Sequence, residues 1–438
     1  MKKKSDADRP ARELAGRIRK SPTAFHVIEN ARSELVAGGC QELRENERWK
    51  LKTPGKYYVT RNGSSLIAFS IPGRESAGFR IIASHSDSPA FKLKEDPELV
   101  ENGYVRLNVE KYGGLLCAPW FDRPLSVAGR LLVREKKGKS AERIVSRLVS
   151  VDRDLLVLPS LAIHMNRDAN DGMQYNIQKD MLPVWGDAAD KGKLFPLLAQ
   201  TAGVDEKDIL GHDLFVCTRQ DPTFWGAEGQ YFSSPRLDDQ ECVWCSLDAF
   251  LSAENSRYIT MFCVFDNEEV GSRTKQGAAS TFLRETITRI GLAAGWSEEE
   301  RMAAIADSFM ISADNAHAIH PAHPDKADPV HRPRMNGGIV LKFSANQSYT
   351  TDGVSAAVVR YLCEKGKIPL QTFVNRSDVA GGSTLGNIAN MQVSMNTADI
   401  GLAQLAMHSP YETAGVQDVA HLIRFAQTFY EAPVLIGG

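Results

Sequence analysis

The chain has 438 residues, of which 43% are hydrophobic and 24% are charged, and its formal net charge is −2. This length exceeds the usual single core and favours two domains. The near-zero net charge does not indicate the basic surface that binds nucleic acid. The sequence contains no stretch of about eighteen apolar residues, so no membrane span is predicted. We therefore expect a globular protein that has neither nucleic acid nor a membrane as a partner.

Two features of the sequence predict a cytoplasmic protein. The N-terminal Met-Lys-Lys-Lys is followed by polar residues and not by the apolar segment of a secretory signal. The seven cysteines are odd in number and lie mostly among apolar residues, which favours a reducing compartment. Cys242 and Cys245 have the spacing of a metal or redox pair, but no second pair accompanies them. Because their flanks are helical, we interpret them as buried helix cysteines.

The N-terminal part of the chain predicts helices followed by strands. Residues 5–37 form one or two amphipathic helices, the second of which opens with Ser21 as its cap. The next alternating stretch carries Asn62-Gly63, a strong hairpin signal, and is expected at the edge of the main sheet. The short strand 79–83 then runs into His85-Ser86-Asp87, a first candidate for a functional site.

The pattern of apolar and polar residues changes in the middle third of the sequence. Residues 92–232 show short alternating runs and many turns, which predict a β-rich domain. We expect this domain to be inserted into an α/β domain made of residues 1–91 and 233–438. It contains His164, a lone histidine that by default is structural.

A buried strand over residues 258–265 ends close to two adjacent carboxylates, Glu268 and Glu269. Its β-branched and aromatic residues are typical of a central strand, and chemistry collects at the carboxyl ends of strands in open α/β sheets. Adjacent carboxylates repel one another unless a cation or a shared proton relieves the repulsion. The alternative is a solvated pair at the start of a helix, where negative charge suits the helix dipole.

Further polar residues follow the other elements of the predicted α/β domain. Asp238 begins a helix that runs to about residue 250, and strands are predicted at residues 308–312, 339–343 and 370–374, before a closing helix around 417–430. The glycine-rich segment 381–386 has neither the lysine of a P-loop nor the spacing of a dinucleotide fingerprint, although it could cap a helix and bind an anion. Asp314 follows the first of these strands, and His408 lies late in the chain.

Imidazole and carboxylate side chains at strand ends suit a metal site. Without thiolates, this donor set favours zinc, cobalt or manganese. One tetrahedral ion needs fewer ligands than the sequence offers, whereas two ions that share a carboxylate would use them all. The candidate ligands are His85, Asp238, Glu269, Asp314 and His408. Their convergence is an expectation, because they are scattered over more than three hundred positions.

Six motifs make the chain resemble a known family, the aspartyl aminopeptidase and aminopeptidase I family of dinuclear metallopeptidases. The motifs occur in the family's order and span nearly the whole chain: residues 84–89, 234–238, 266–272, 312–318, 382–384 and 404–409. The resemblance implies a zinc-peptidase fold, with a mixed central sheet sandwiched by helices and an inserted β-rich dimerisation domain. It also implies hydrolysis of the first peptide bond of peptides with a free N-terminus.

The resemblance assigns roles to the candidate residues. His85 and Asp314 would bind one divalent ion, most simply zinc, with cobalt or manganese as alternatives; Glu269 and His408 would bind a second, and Asp238 would bridge them. Asp87 would orient His85 and fix its tautomer. Glu268 would be the general base that takes a proton from the attacking water and passes it to the leaving amine.

The resemblance also implies how substrate and partner subunits are recognised. Lys342 would meet an acidic first side chain, Asp or Glu, and Tyr349, His317 and His320 would line the pocket. His164 would reach into the active site of a partner subunit, which implies a homododecamer built from dimers. The alternative for Lys342 is a solvated lysine at a strand end.

The sequence departs from the family at two places near the site. Asp239 stands where asparagine is common, and Pro410-Tyr411 replaces the usual Ile-Arg. Two other classes of function stay open at this point. One is a non-catalytic scaffold of the same fold, which would need neither the ligand set nor Glu268, and the other is a metal-dependent deacylase, which would act on N-acylated amino acids.

Overall fold

The computed structural model of the protein describes residues 8–73, 76–137, 141–254 and 257–433. The chain forms two compact units. The first comprises the residues up to 87, residues 222–407 and the residues from 412 onward, and the second comprises 88–221 and 408–411. The predicted role of the second unit in dimerisation stays a prediction.

Nineteen strands are described. They are β1 Gln41–Leu43, β2 Gly55–Arg61, β3 Ser65–Ile71, β4 Phe79–His85, β5 Ala90–Glu101, β6 Tyr104–Tyr112, β7 Leu125–Lys137, β8 Ala141–Ser150, β9 Val184–Asp187, β10 Ile209–Thr218, β11 Thr223–Trp225, β12 Tyr231–Ser234, β13 Ile259–Phe265, β14 Phe309–Ala313, β15 Ala316–His317, β16 Ile339–Phe343, β17 Leu370–Val374, β18 Asn396–Leu405 and β19 Glu412–Gly415.

Ten α-helices are described alongside these strands. They are α1 Arg9–Lys20, α2 Ala24–Ala37, α3 Ile177–Asp180, α4 Leu194–Ala202, α5 Leu237–Ser252, α6 Phe282–Ala294, α7 Glu298–Ala306, α8 Gly353–Gly366, α9 Leu385–Asn390 and α10 Val416–Glu431. The predicted α5, which contains Cys242 and Cys245, is confirmed, and both cysteines are buried free thiols.

The first unit is built on a mixed sheet of thirteen strands. Its main order is β1-β2-β3-β13-β4-β14-β18-β19-β12-β11, while β15 and β16 also pair with β18, and β17 pairs with β16. Strands β13, β4 and β14 run parallel to one another. Because the carboxyl ends of parallel strands meet at one edge, the residues that follow these three strands are brought together.

Helices cover both faces of this sheet. On β13, Phe262 and Val264 pack in one apolar cluster with α1, α2, α5, α8 and α10, whereas Met261 and Cys263 pack in another with α6 and α7. Successive side chains of a strand point to opposite faces, so the two clusters are the two faces of the sheet. The all-buried sequence of β13 confirms the predicted central strand, and the mixed sheet between helices confirms the predicted α/β class.

Two local predictions need correction. The N-cap of α2 is Thr23 rather than Ser21, since Pro22 precedes the helix and does not occupy its first turn. The hairpin with Asn62-Gly63 is present, and Asn62 and Gly63 both have positive φ, but it lies one strand in from the edge. The short parallel strand β1 pairs with β2 and takes the outer position.

The second unit contains a six-stranded sheet in the order β8-β7-β10-β5-β6-β9. All of its named pairs are antiparallel. The unit has its own apolar core, in which Phe91 and Trp120 pack edge to face with ring centroids 5.1 Å apart. Among the described helices of the whole chain, none is long and apolar enough to cross a membrane.

One partly buried ion-pair network connects three helices of the first unit. The Arg17 guanidinium of α1 donates to both oxygens of Glu34 on α2, at 3.0 and 2.8 Å, and to both oxygens of Asp248 on α5, at 2.8 and 2.6 Å. It also lies over the ring of Trp244, 5.5 Å from the ring centroid. Bidentate pairs of this kind are among the stronger charged interactions.

We expect Arg17→Ala to lower the free energy of unfolding by about 2 kcal/mol, because two carboxylates lose their common partner. Urea titration followed by tryptophan fluorescence measures the change. Lys20→Ala removes a positive charge from the same helix at an exposed position and is the matched control. Equal unfolding midpoints for the two variants would contradict a stabilising role for Arg17.

Candidate metal centre

The site forms where the three parallel strands of the first unit end. His85 is the last residue of β4, and Phe265, the last residue of β13, is its neighbour in the sheet. Asp314 directly follows β14, and its backbone N–H donates to the carbonyl oxygen of Ile400 at 3.0 Å. Parallel strand ends thus place side chains from distant parts of the sequence side by side.

His85 is the centre of a group of four potential ligands. Its Nε2 lies 3.3 Å from Oδ1 of Asp238 and 3.8 Å from Oδ1 of Asp314. One ligand atom from each of these residues and from Asp239 lies within 4.8 Å of the others, and all four residues are buried. The predicted convergence of His85, Asp238 and Asp314 is present in this geometry.

Asp87 connects His85 with the Glu268-Glu269 pair. The Nδ1 of His85 donates to the backbone carbonyl of Asp87 at 3.1 Å and lies 3.4 Å from its Oδ1. The two carboxylate oxygens of Asp87 accept the backbone N–H groups of Glu268 (3.1 Å) and Glu269 (3.2 Å). One carboxylate therefore positions both the imidazole and the turn that carries the two glutamates.

The two glutamates lie in a single 3-10 turn, Glu268–Val270, and not in the first turn of a long helix. Asn267 before the turn and Gly271 after it both have a left-handed backbone, with φ of 61° and 95°. The glycine fits this conformation without the steric cost of a side chain. Ligand atoms of His85, Glu268 and Glu269 lie within 4.8 Å of one another.

The electrostatics of the group favour a cation. Burial raises the pKa of Glu268 to about 8, and burial likewise raises the pKa of Glu269 and of Asp239 well above their ordinary values. Burial opposes a charged imidazole, but the surrounding carboxylates, Asp239 first among them, raise the pKa of His85 well above its usual value. Carboxylates so close together repel one another, and a divalent ion removes that repulsion.

The hydrogen bonding of the donor atoms also fits a metal ion. Oδ1 of Asp239 is buried and has no hydrogen-bond partner among the described residues, and an unpaired buried oxygen is costly. One imidazole nitrogen and several carboxylate oxygens are suitable zinc ligands. His85 Nδ1 is occupied by a carbonyl, which leaves Nε2 facing the carboxylates, as in many histidine–metal sites.

Sequence reasoning missed three supporting residues. Asp239, noted only as a departure, accepts the backbone N–H of His85 at 3.1 Å through Oδ2. Glu412 accepts the backbone N–H of Asp238 at 3.1 Å. The peptide bond between Asp238 and Asp239 is cis. Asn315, beside Asp314, donates through its side chain to Glu241 and to the backbone of the residue before Asp238. Proximity in sequence to the predicted ligands was the only signal available for any of them.

Lys342 lies in the interior directly beside this group and is not a solvated strand-end lysine. Its Nζ donates to the carbonyl oxygen of Asn315 at 2.8 Å and lies 3.4 Å from Oδ2 of Asp314. It is also 5.4 Å from the centroid of the Tyr349 ring. Burial opposes its charge, but Asp314 and then Tyr349 raise the pKa of Lys342 above its usual range.

The remaining predicted residues, including the candidate ligand His408, are more exposed than His85, Asp238 and Asp314. The His317 ring lies 6.0 Å from that of Phe373, and the exposed His320 accepts a backbone N–H at its Nδ1. His164 is exposed in an irregular segment of the second unit. His408 belongs to the short segment that groups with the second unit, where its Nδ1 donates to the carbonyl oxygen of Gly114 at 2.9 Å.

Comparison with known proteins extends over almost the whole chain. The family described as aminopeptidase I zinc metalloprotease (M18) matches residues 17–430. A probable M18 family aminopeptidase 2 from Clostridium acetobutylicum is 44% identical over 427 residues, which are 96% of this chain and 98% of the relative. A protein of the same description from Pseudomonas aeruginosa is 40% identical, with 95% and 97% coverage.

A solved structure gives the same result for the fold. The mApe1 protein of Saccharomyces cerevisiae, described as a dodecamer, superposes with a TM-score of 0.85 at 29% identity, over 97% of both chains. Together with the buried group of imidazole and carboxylates, these matches confirm the resemblance stated from the motifs. The chain belongs to the M18 aminopeptidase I family of zinc metalloproteases.

Proposed function

We propose that this metallo-aminopeptidase removes acidic residues, Asp or Glu, from the N-termini of peptides, with two divalent ions in its site. The observation that carries the acidic preference is the buried ammonium of Lys342 beside Asp314. A fixed positive charge next to a hydrolytic centre attracts a substrate side chain that carries a carboxylate and repels one that carries a positive charge.

The family resemblance and the geometry together support one assignment of ligands. In this assignment His85 and Asp314 would hold one ion, Glu269 and His408 would hold the other, and Asp238 would be shared between them. The hydrogen bond from Nδ1 of His408 to a backbone carbonyl supports its part, since it leaves Nε2 as the ligand atom. The donor set is rich in oxygen and nitrogen and lacks thiolate, which suits zinc, with cobalt and manganese as alternatives.

The chemistry follows from the position of Glu268. When bound, the ions supply a lowered pKa for a water molecule and polarise the peptide carbonyl. Glu268 takes a proton from the attacking water and delivers it to the leaving amine. Asp87 keeps the Glu268 turn in place through the backbone N–H groups that it accepts, so the base does not move away as its charge changes.

Lys342 has room for one more acceptor. Its ammonium has three N–H groups, and the described residues supply two oxygen partners, Asn315 and Asp314. A substrate carboxylate is the natural third partner. The Phe373 ring contacts both the Tyr349 ring and the His317 ring, and in this proposal these residues and His320 would line the substrate pocket.

Self-association is part of the proposal. The Saccharomyces relative is described as a dodecamer, and we propose that this chain also forms a homododecamer built from dimers. Exposed apolar side chains flank His164 on both sides, namely Leu161, Ile163 and Met165, which is typical of a surface that meets another protein. The seven free cysteines support a cytoplasmic location.

We expect Glu268→Gln to lower kcat about 1,000-fold, because a neutral amide is far too weak a base to take the proton at neutral pH. Metal content should stay at the wild-type level, since Glu268 is not among the proposed ligands. Steady-state kinetics and elemental analysis of the same samples measure both quantities. Hydrolysis at the wild-type rate would remove Glu268 from this role.

A panel of dipeptides that differ only in the first residue tests the acidic preference, with zinc, manganese and cobalt each supplied. We expect Asp- and Glu-peptides to have the highest kcat/KM, and Lys342→Met to lower kcat/KM for them about 10–100-fold relative to Leu-peptides. Lys342→Arg, which keeps the charge, is the control. Faster cleavage of Leu- or Lys-peptides by the wild type would refute the preference and leave the aminopeptidase activity standing.

N-acetylated versions of the same peptides complete the panel. An aminopeptidase should need the free amine, so we expect the acetylated forms to be resistant. Preferential hydrolysis of the acetylated forms would instead identify a deacylase.

A further inference from the structure

The glycine-rich segment 381–386 takes no part in the chemistry proposed above, yet a buried carboxylate fixes its position. Thr384 is the N-cap of α9, but its hydroxyl donates to Oδ1 of Asp399 and does not cap the helix. Asp399 lies on β18 and is completely buried. Because a buried carboxylate is costly unless it is hydrogen-bonded, its partners show which parts of the structure it stabilises.

The same carboxylate holds a second segment. Its Oδ2 accepts the backbone N–H and the hydroxyl of Thr350, both at 2.5 Å. The backbone N–H of Asp399 donates to the hydroxyl of Thr351 at 2.9 Å. Asp399 therefore joins residues 349–351 and 381–386 to one strand, although these segments are separated by about thirty residues of chain.

The first segment lies next to Lys342, and the second is connected to the first through Asn375. Tyr349, which directly precedes Thr350, places its ring 5.4 Å from the Lys342 ammonium and is hydrogen-bonded to Asn375. The backbone of Gly381 runs so close to Asn375 that an added Cβ would lie 2.1 Å from its Nδ2. The two segments thus meet at Asn375, which adjoins the aromatic ring beside the ammonium.

The close approach of the segments depends on Gly386. A Cβ at this position would lie 3.0 Å from each carboxylate oxygen of Asp399 and 2.9 Å from the hydroxyl of Thr350. These distances are shorter than ordinary van der Waals contacts. Only a residue without a side chain lets the glycine-rich segment lie against both partners.

Asp399 also provides a negative charge near Lys342 without occupying its N–H groups. The carboxylate oxygens already accept from Thr350 and Thr384, and among the described residues Lys342 is bonded to Asn315 and Asp314 instead. In a medium of low dielectric constant, such a charge stabilises the buried ammonium. After Asp314 and Tyr349, Asp399 is the next group whose charge raises the pKa of Lys342.

We propose that Asp399 is a positioning residue for substrate specificity: it braces residues 381–386 against residues 349–351, so that the Tyr349 ring stays beside the Lys342 ammonium and the site fits a short acidic side chain. This inference rests on the proposed function, because it concerns the pocket of the same site. It also gives the glycine-rich motif a role that requires no bound anion.

The experiment compares Thr384→Val with Thr384→Ser. Valine has nearly the shape of threonine but cannot donate to Asp399, whereas serine keeps the hydroxyl. We expect Thr384→Val to raise KM for an Asp-peptide about fivefold to tenfold, with little change in its kcat or in either constant for a Leu-peptide. Thr384→Ser should behave as the wild type, and both variants should keep their metal.

Three results would overturn the inference. The first is equal KM values for the Val and Ser variants. The second is an equal rise in KM for the Asp-peptide and the Leu-peptide, and the third is a loss of metal from the Val variant; either of these two would indicate a purely structural role.

If Thr384→Val does not fold, Gly386→Ala takes its place, with the same expected rise in KM for the Asp-peptide alone. A wild type without acidic preference would instead refute the proposed function, and it would be seen before any variant is measured.

Discussion

The crowding of carboxylates around one imidazole is the constraint on which the rest of the site depends. His85, Asp238, Asp239 and Asp314 offer ligand atoms within 4.8 Å of one another in a buried position, and the Glu268-Glu269 pair adjoins them. Such a group is unstable without compensating positive charge. The histidine supplies one charge at most, and Lys342 supplies another on the far side of Asp314. The balance of charge is what makes divalent ions the fitting occupants.

The rigidity of this group comes from backbone interactions as much as from side chains. Asp87 accepts two backbone N–H groups of the glutamate turn, Asp239 accepts that of His85, and Glu412 accepts that of Asp238. Each of these acidic residues therefore fixes the backbone of another residue of the site. Ligand geometry set in this way is pre-organised, so that binding a metal or a substrate costs little rearrangement.

Several strands could be predicted from the sequence, and so could the candidate residues that lie at their ends. Apolar runs identified β13, β14 and β16, because strands buried on both faces have few positions for polar residues. The His-x-Asp and Glu-Glu motifs pointed to ligands because those residue types are costly at strand ends without a function.

Sequence could not show that these ends meet, since parallel pairing of β4 with β13 and β14 is a property of the tertiary structure. For the same reason it did not reveal Asp239 as a partner of His85, Asn315 as a partner of Lys342, or the threonine hydroxyls that converge on Asp399.

The strand order has a consequence for how the chain is made. β4 is synthesised before the second unit, but both of its neighbours, β13 and β14, come after it. At about 5–20 residues per second, the ribosome needs roughly ten seconds or more to pass from β4 to β13. During that interval the apolar edges of β4 have no native neighbour, while the second unit, which has its own core, has all but four of its residues and can fold. The nascent chain therefore carries a folded insertion and an unfinished sheet, the condition in which edge-to-edge association with other chains is most damaging, and in which chaperones are most useful.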